Sequence, residues 1–193
     1  MNPHRGLLHH VIIVVSDLSK SSPFYGAVLR YLGYEPGDRS ATFEDWKRWD
    51  LGTPHEISIV QVAERHRGVE HVRGAVGHHH HLAFCAADRA DVDRFYADVL
   101  RPLEAQGHCV VEDPPVECPE YDEGYYATFF FDPDGLKFEF VVNEARDRRR
   151  AARARARRER PGGEGGGPGR RWRRPRAGAG PRSGGGARGR GPG

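Results

Sequence analysis

From Leu7 to Val15 the chain reads Leu-Leu-His-His-Val-Ile-Ile-Val-Val, an apolar, β-branched run that suits a largely buried strand. Asp17 precedes a stretch from Ser19 to Leu32 in which Phe24, Val28, Leu29, Tyr31 and Leu32 form an apolar stripe at helical spacing. An aspartate cap, Pro23 in the first turn and Gly33 as the stop predict a helix lying on a sheet. Turns at Pro36-Gly37 and Gly52-Thr53-Pro54 bracket an aromatic segment, Ala41 to Leu51, and the alternation in Glu56–Val62 predicts another strand. The predicted order is strand, helix and about three strands. Residues 63–77 are polar and glycine-containing, as a connection should be.

The same order then recurs. His10, Asp17, Phe24 and Tyr25 map onto His81, Asp88, Phe95 and Tyr96 at one constant offset of 71 residues, so a supersecondary unit is used twice. The second copy predicts a strand His79–Ala86, a helix Arg89–Gln106 stopped by Gly107, and strands His108–Glu112, Gly124–Phe131 and Leu136–Val142. Asp132-Pro-Asp-Gly135 joins the last two as a hairpin. Asp113–Glu123, acidic and proline-rich, has no counterpart in the first copy and reads as a lid or pocket wall.

Charge divides the chain in two. Residues 146–193 hold 17 arginines against three acids, or +14, with 14 glycines and only Trp172 among large apolar residues. The other residues carry 13 basic and 24 acidic groups, or −11, so the net +3 averages two opposite objects. A segment with nothing to bury cannot offset its ordering entropy, and 146–193 reads as a disordered basic tail. It could bind nucleic acid through phosphate neutralisation or fold back on the acidic domain. The favoured reading is an extension without function, since arginine, glycine, alanine and proline are what GC-rich sequence encodes in any frame. Three cysteines without finger or redox spacing, no apolar run of membrane-spanning length and no signal-peptide core place the protein in the cytoplasm.

Two strand histidines at equivalent repeat positions, His10 and His81, would meet if the units faced each other across a pseudo-twofold axis. In Leu-Lys-Phe-Glu-Phe-Val-Val, periodicity puts Lys137, Glu139 and Val141 on one face, with Phe138 and Phe140 on the other. A carboxylate so placed is costly to bury unless paired or bound to a cation. Two imidazoles and a carboxylate form a ligand set for a divalent first-row metal (Fe, Zn, Ni or Mn) with positions left open to water or substrate. A lone strand histidine is more often a hydrogen-bonded core residue; the paired placement favours the metal, with His79 an alternative to His81. Tyr25, Tyr96, Tyr125, Tyr126 and Trp46 are candidate pocket walls, with core packing the default for each.

The motifs His-x-x-x-x-Val-x-Asp-Leu followed by Phe-Tyr, His-Leu-Ala-Phe, and Asp-Pro-Asp-Gly-x-Lys-x-Glu resemble those of the vicinal oxygen chelate superfamily, which includes glyoxalase I, extradiol dioxygenases and bleomycin resistance proteins. The resemblance implies an α+β fold: a domain over 5–143 made of two βαβββ modules, 5–63 and 77–143, curled as a half-barrel around a metal held by His10, His81 and Glu139. It also implies Lewis-acid catalysis on a small oxygen-rich molecule and a homodimer. Where extradiol enzymes carry a tyrosine this chain has Phe129, and Glu120, Tyr121 and Asp122 occupy the region of their histidine, which weighs against catechol cleavage.

Aligning the final strands of the modules by hydrophobic pattern puts Ser58 opposite Glu139. A two-residue slip puts Glu56 there, and both share a face. If Glu56 ligates, one glutamate could act as the base that moves a proton α to a carbonyl; if Ser58 faces the metal, the site has three ligands, as in the oxygenases and fosfomycin-modifying proteins of the superfamily. Trp46, Ser58, Tyr125 and Phe129 are the expected pocket residues, and Lys47, Arg48 or Lys137 the candidates for anion recognition. Glyoxalase-like lyase or isomerase chemistry is read ahead of an Fe(II) dioxygenase and of a metal-free drug-binding cup.

Overall fold

The computed structural model describes residues 7–50 and 52–158. The first module runs β1 (His10–Val15), α1 (Leu18–Tyr31), β2 (Glu35–Arg39), β3 (Phe43–Asp50) and β4 (Thr53–Gln61). The second runs β5 (Leu82–Cys85), α2 (Arg89–Phe95), a π turn (Tyr96–Leu100), α3 (Arg101–Ala105), β6 (Val110–Glu117), β7 (Tyr125–Phe131) and β8 (Lys137–Asn143), followed by α4 (Glu144–Arg158). Each module forms its own four-stranded sheet, in the orders β1-β4-β3-β2 and β5-β8-β7-β6, with the first and last strand of each module parallel and the rest antiparallel. The fold is α+β with the βαβββ order used twice.

The repeat is physical as well as textual. Asp17 caps α1 by accepting from the Ser19 and Lys20 amides, and Asp88 caps α2 by accepting from the Asp91 amide. Gly33 and Gly107 stand after the helices with φ of 81° and 74°, a left-handed backbone that stops a helix at little cost. One core spans both modules. Phe24 and Tyr25 of α1 pack on Ile13, Ile57 and Ile59 of their own sheet and on Phe130 and Phe138 of the other.

Polar latches fix this junction. Tyr25 donates its hydroxyl to the buried Asp132 carboxylate at 2.5 Å, Tyr31 donates to Asp91 at 2.8 Å, and the Ser16 amide donates to Asp134 at 2.8 Å. Burial pushes the Tyr25 phenol well up, and burial beside Asp91 pushes that of Tyr31 up to about 12, so both remain donors. Tyr25→Phe would leave one oxygen of a buried carboxylate without its donor. The expected cost is about 1–3 kcal/mol of unfolding free energy, read by urea denaturation.

Four local expectations are corrected. Pro36-Gly37 lies inside edge strand β2, where a register shift accommodates the proline and where a Cβ on Gly37 would come within 2.8 Å of the Asp45 carboxylate. The segment read as a lid from Asp113 begins as β6, an edge strand with two register shifts, the second of which spans Pro114-Pro115, so the free loop is 118–124. The single helix expected over 89–106 contains a π turn directly before Pro102, whose missing N–H disrupts the regular ladder. The stretch read as disordered from 146 starts as α4, because alanine and arginine are strong helix formers. The Asn143 side chain accepts from the Arg146 amide at its start, and Arg149 pairs with Asp122 at 2.8 Å. Up to residue 158, the segment folds back on the acidic domain; 159–193 lie outside the described residues.

Three carboxylates are held below their ordinary range: Asp17 by the Ser19 hydroxyl, Asp122 by the Asn143 amide and Arg149, and Asp91, where burial is outweighed by the Ala87 amide and the Tyr31 hydroxyl. A carboxyl depressed on folding contributes stability above its unfolded value of 3.8, lost as pH falls through the folded value. Asp132, raised by burial, acts in the opposite sense. Urea midpoints should therefore drop between pH 5 and pH 3. In Asp132→Asn, the fall should be steeper.

Candidate functional site

Each sheet has a helix-covered face and an open face, and strand parity decides what lies on which. On the second sheet, Phe138 and Phe140 face the core while Glu139 faces outward from it, yet Glu139 is only 3% exposed. Its neighbours in register are Ala83 on β5 and Phe129 on β7. A satellite cluster of Cys118, Ala127 and Phe129, with Tyr125 and Val141 against it, shields the carboxylate from water. The Tyr125 hydroxyl donates to Glu139 Oε1 at 2.5 Å. On the other side, His81 Nε2 stands 3.6 Å from Glu139 Oε2, its side chain 39% exposed. Burial and the Glu139 carboxylate raise the Tyr125 phenol pKa, so it stays a proton donor to the carboxylate.

On the first sheet the register settles a point the sequence left open. His10 pairs with Glu56 and Val11 with Ile57, while in the second module Leu82 pairs with Phe138. With His10 and His81 superposed, Ser58 therefore occupies the position of Glu139, and Glu56 that of Lys137. Glu56 lies in the row of His10 and Lys47 and accepts the Ser58 hydroxyl at 3.0 Å. Beside Ser58 in register is Asp45, 6% exposed, paired with Lys47 at 2.8 Å and with its Oδ1 unpartnered. Asp45 escaped the sequence reading, although alternation with Trp46 could have marked it as the opposite face.

Edge strands β1 and β5 face one another across a small cleft of about 130 Å3 lined by His10, Glu56, Leu82 and Ala83. The structure thus brings His81, Glu139 and Tyr125 together and places His10 with Glu56 and Ser58 on the other side of the seam. Among the described residues no three His, Cys, Asp or Glu side chains converge closely enough to hold a metal ion by themselves. His79 is exposed and borders a different cavity, with Ile12 and Asp134.

Other expected site residues divide by parity. Tyr125, Phe129 and Ser58 lie on the open faces. Trp46, expected in the pocket, is corrected: it packs in the core next to α1, with the Arg30 guanidinium 5.0 Å from its ring, because its strand neighbours Asp45 and Lys47 take the open face. Tyr25 and Tyr96 likewise serve the core, and Tyr126 donates to Asp93. The cations suggested for anion recognition are engaged elsewhere. Lys47 holds Asp45, Arg48 donates to the Leu32 carbonyl, and Lys137 pairs with Glu112 while lying 4.5 Å over the Phe129 ring.

The donor chemistry at Glu139 fits a divalent ion. At 3.6 Å the His81–Glu139 contact is too long for a hydrogen bond. Two donors held at about 2.1 Å from one ion, at right to tetrahedral angles, lie roughly 3.0–3.4 Å apart, close to what is seen. Among the described residues, no helix is long and apolar enough to cross a membrane.

Comparison with known proteins places the chain. It is 34% identical over 135 residues to the uncharacterized protein YqjT of Bacillus subtilis (strain 168), an alignment covering 70% of this chain and 98% of that protein. A provisionally assigned glyoxalase from Bacillus halodurans, solved at 2.10 Å, is 28% identical with a TM-score of 0.56, covering 72% of this chain and 96% of that one. A glyoxalase-related enzyme from Fulvimarina pelagi, at 19% identity and a TM-score of 0.52 over 72% of this chain and 89% of its own, shares the fold. A family model for the Glyoxalase/Bleomycin resistance protein/Dioxygenase superfamily matches residues 7–140, whose limits enclose both βαβββ modules up to the middle of β8. The chain belongs to the Glyoxalase/Bleomycin resistance protein/Dioxygenase superfamily.

Proposed function

We propose that this protein is a divalent-metal-dependent, glyoxalase-like lyase or isomerase acting on a small oxygen-rich molecule, with His81 and Glu139 as the core of the metal site and His10 as its third ligand. The observation that carries the reading is Glu139: a carboxylate 3% exposed, set between phenylalanines, held by Tyr125 and standing at near-ligand spacing from an imidazole. A side chain so costly to bury is retained where a cation balances it. His10 faces the same seam from β1. Its approach completes the set, and a second copy of the chain is the expected partner in the active form.

A bound divalent ion would polarise adjacent substrate oxygens and stabilise the negative charge that develops there. The residues do the rest. Tyr125 orients Glu139 and keeps one carboxylate oxygen occupied. Ser58, at the position equivalent to Glu139, supplies a hydroxyl in place of a fourth ligand, so the register supports three protein ligands. We assign the base role to Glu56 from the row of His10, outside the ligand position, where it would take a proton α to a carbonyl without first leaving the metal. Phe129 at the tyrosine position supports the lyase or isomerase reading over catechol cleavage, while the three-ligand register supports the dioxygenase alternative.

Turnover of an α-keto hemithioacetal by the metal-loaded full chain under nitrogen is the test. Activity abolished by chelation and reduced in Glu56→Gln is the expected result. A requirement for oxygen would move the reading to a dioxygenase, and ligand binding indifferent to chelation would move it to a drug-binding cup.

A further inference from the structure

The chain continues past its family match, which ends at residue 140, and α4 belongs to that continuation. This helix lies over the open face of the second sheet. Between the two is a cavity of about 840 Å3 with Cys85, Tyr125 and Val141 in its floor and Arg146, Arg149 and Arg153 in its wall. The volume is that of a small-molecule site. The floor belongs to the candidate active face: Tyr125 donates to Glu139, and Val141 follows Glu139 two residues along β8.

The three arginines recur at helical spacing, so one face of α4 is turned into the cavity. Arg149 is held by Asp122 at 2.8 Å. Among the described residues, Arg146 and Arg153 have no carboxylate partner, whereas the neighbouring Arg148 has Glu144. Two uncommitted guanidiniums beside an otherwise largely apolar floor form a receptor for an organic anion, whose carboxylate or phosphate oxygens match their planar donors.

We propose that α4 forms the substrate-recognition wall of this protein, with Arg146 and Arg153 binding the carboxylate or phosphate of a small anionic substrate whose oxygen-rich end reaches the His81–Glu139 pair. The proposal rests on the second sheet's open face being the substrate face, as in the functional reading above. It turns an arginine-rich segment that composition alone marks as inert into part of the site.

The test is calorimetric titration of the full chain with glycerol 3-phosphate, glycerate and glycerol, which share vicinal hydroxyls and differ in their anionic group. One or both anions should bind at least about 10-fold more tightly than glycerol, and the tighter one identifies the anion class. The double variant Arg146→Ala/Arg153→Ala should lose that advantage, while Arg148→Ala keeps it and circular dichroism shows both folded. The same titrations in excess chelator should also keep it, so a failed metal reading and a failed anion wall give different results. Anions that bind no better than glycerol, or an undiminished advantage in the double variant, would overturn the proposal. An RNA dodecamer that binds more tightly than either anion with the same arginine dependence would replace it with a nucleic-acid surface.

Discussion

The Phe138→Ala variant is expected to lose about 3–5 kcal/mol of unfolding free energy. Phe138 is 2% exposed and lies at the junction of the modules. Its ring contacts Phe24 at 5.6 Å and Tyr25 at 6.1 Å from α1, stacks on Phe84 of β5 at 6.3 Å and on Phe130 of β7 at 5.8 Å. Truncation leaves a cavity bounded by rigid rings from three other elements, which collapse poorly around it. Chemical denaturation should show one transition at lower denaturant with an unchanged slope. Two separated transitions would instead mean that the modules are independently stable, and that the shared core is not what joins them.

Glu139→Gln should weaken divalent-metal binding by more than about 100-fold, since even residues that merely orient metal ligands cost 10–100-fold when lost. Tyr125→Phe belongs to that orienting class and should fall within it. The same Glu139→Gln change should leave the metal-free chain at least as stable as the wild type. Glutamine keeps the shape, still accepts from Tyr125, and removes a carboxylate buried against Phe129 and Ala127. Competition against a chromogenic chelator measures the affinity, and urea unfolding in excess chelator measures the stability. A variant that lost stability without losing metal would mark Glu139 as a structural residue instead.

Much of the fold is legible in the sequence because the physics that sets it is local. The repeated His-to-Asp spacing, the Asp17 cap and both glycine stops act within a few residues of where they stand, and each appears as read. The errors lie where tertiary pairing overrides local signals. Pro36-Gly37 and Pro114-Pro115 read as loops because proline opposes pairing, yet each sits on an edge strand where a register shift absorbs it.

The placement of the candidate residues on the sheet faces was legible to the same extent. Glu139, Tyr125, Phe129 and Ser58 follow from strand parity, and the Ser58–Glu56 ambiguity required the β1–β4 register to resolve. Trp46 was misplaced because aromatic character suits a pocket and a core equally, and only its phase against Asp45 distinguishes them. The arginine wall was invisible because a sequence does not show that a highly charged helix has a surface to lie on. Ala145, 6% exposed, and the Arg149–Asp122 pair anchor it there.

On the proposed function, the open face of the second module is a divalent-metal site built on His81 and Glu139. Elemental mass spectrometry of the full chain, exchanged into metal-replete buffer and then desalted, tests it beside His81→Ala and Glu139→Gln. About one equivalent of a first-row metal in the wild type, with little in either variant, is the predicted result. A wild type without bound metal, or variants that retain it in full, would contradict the account.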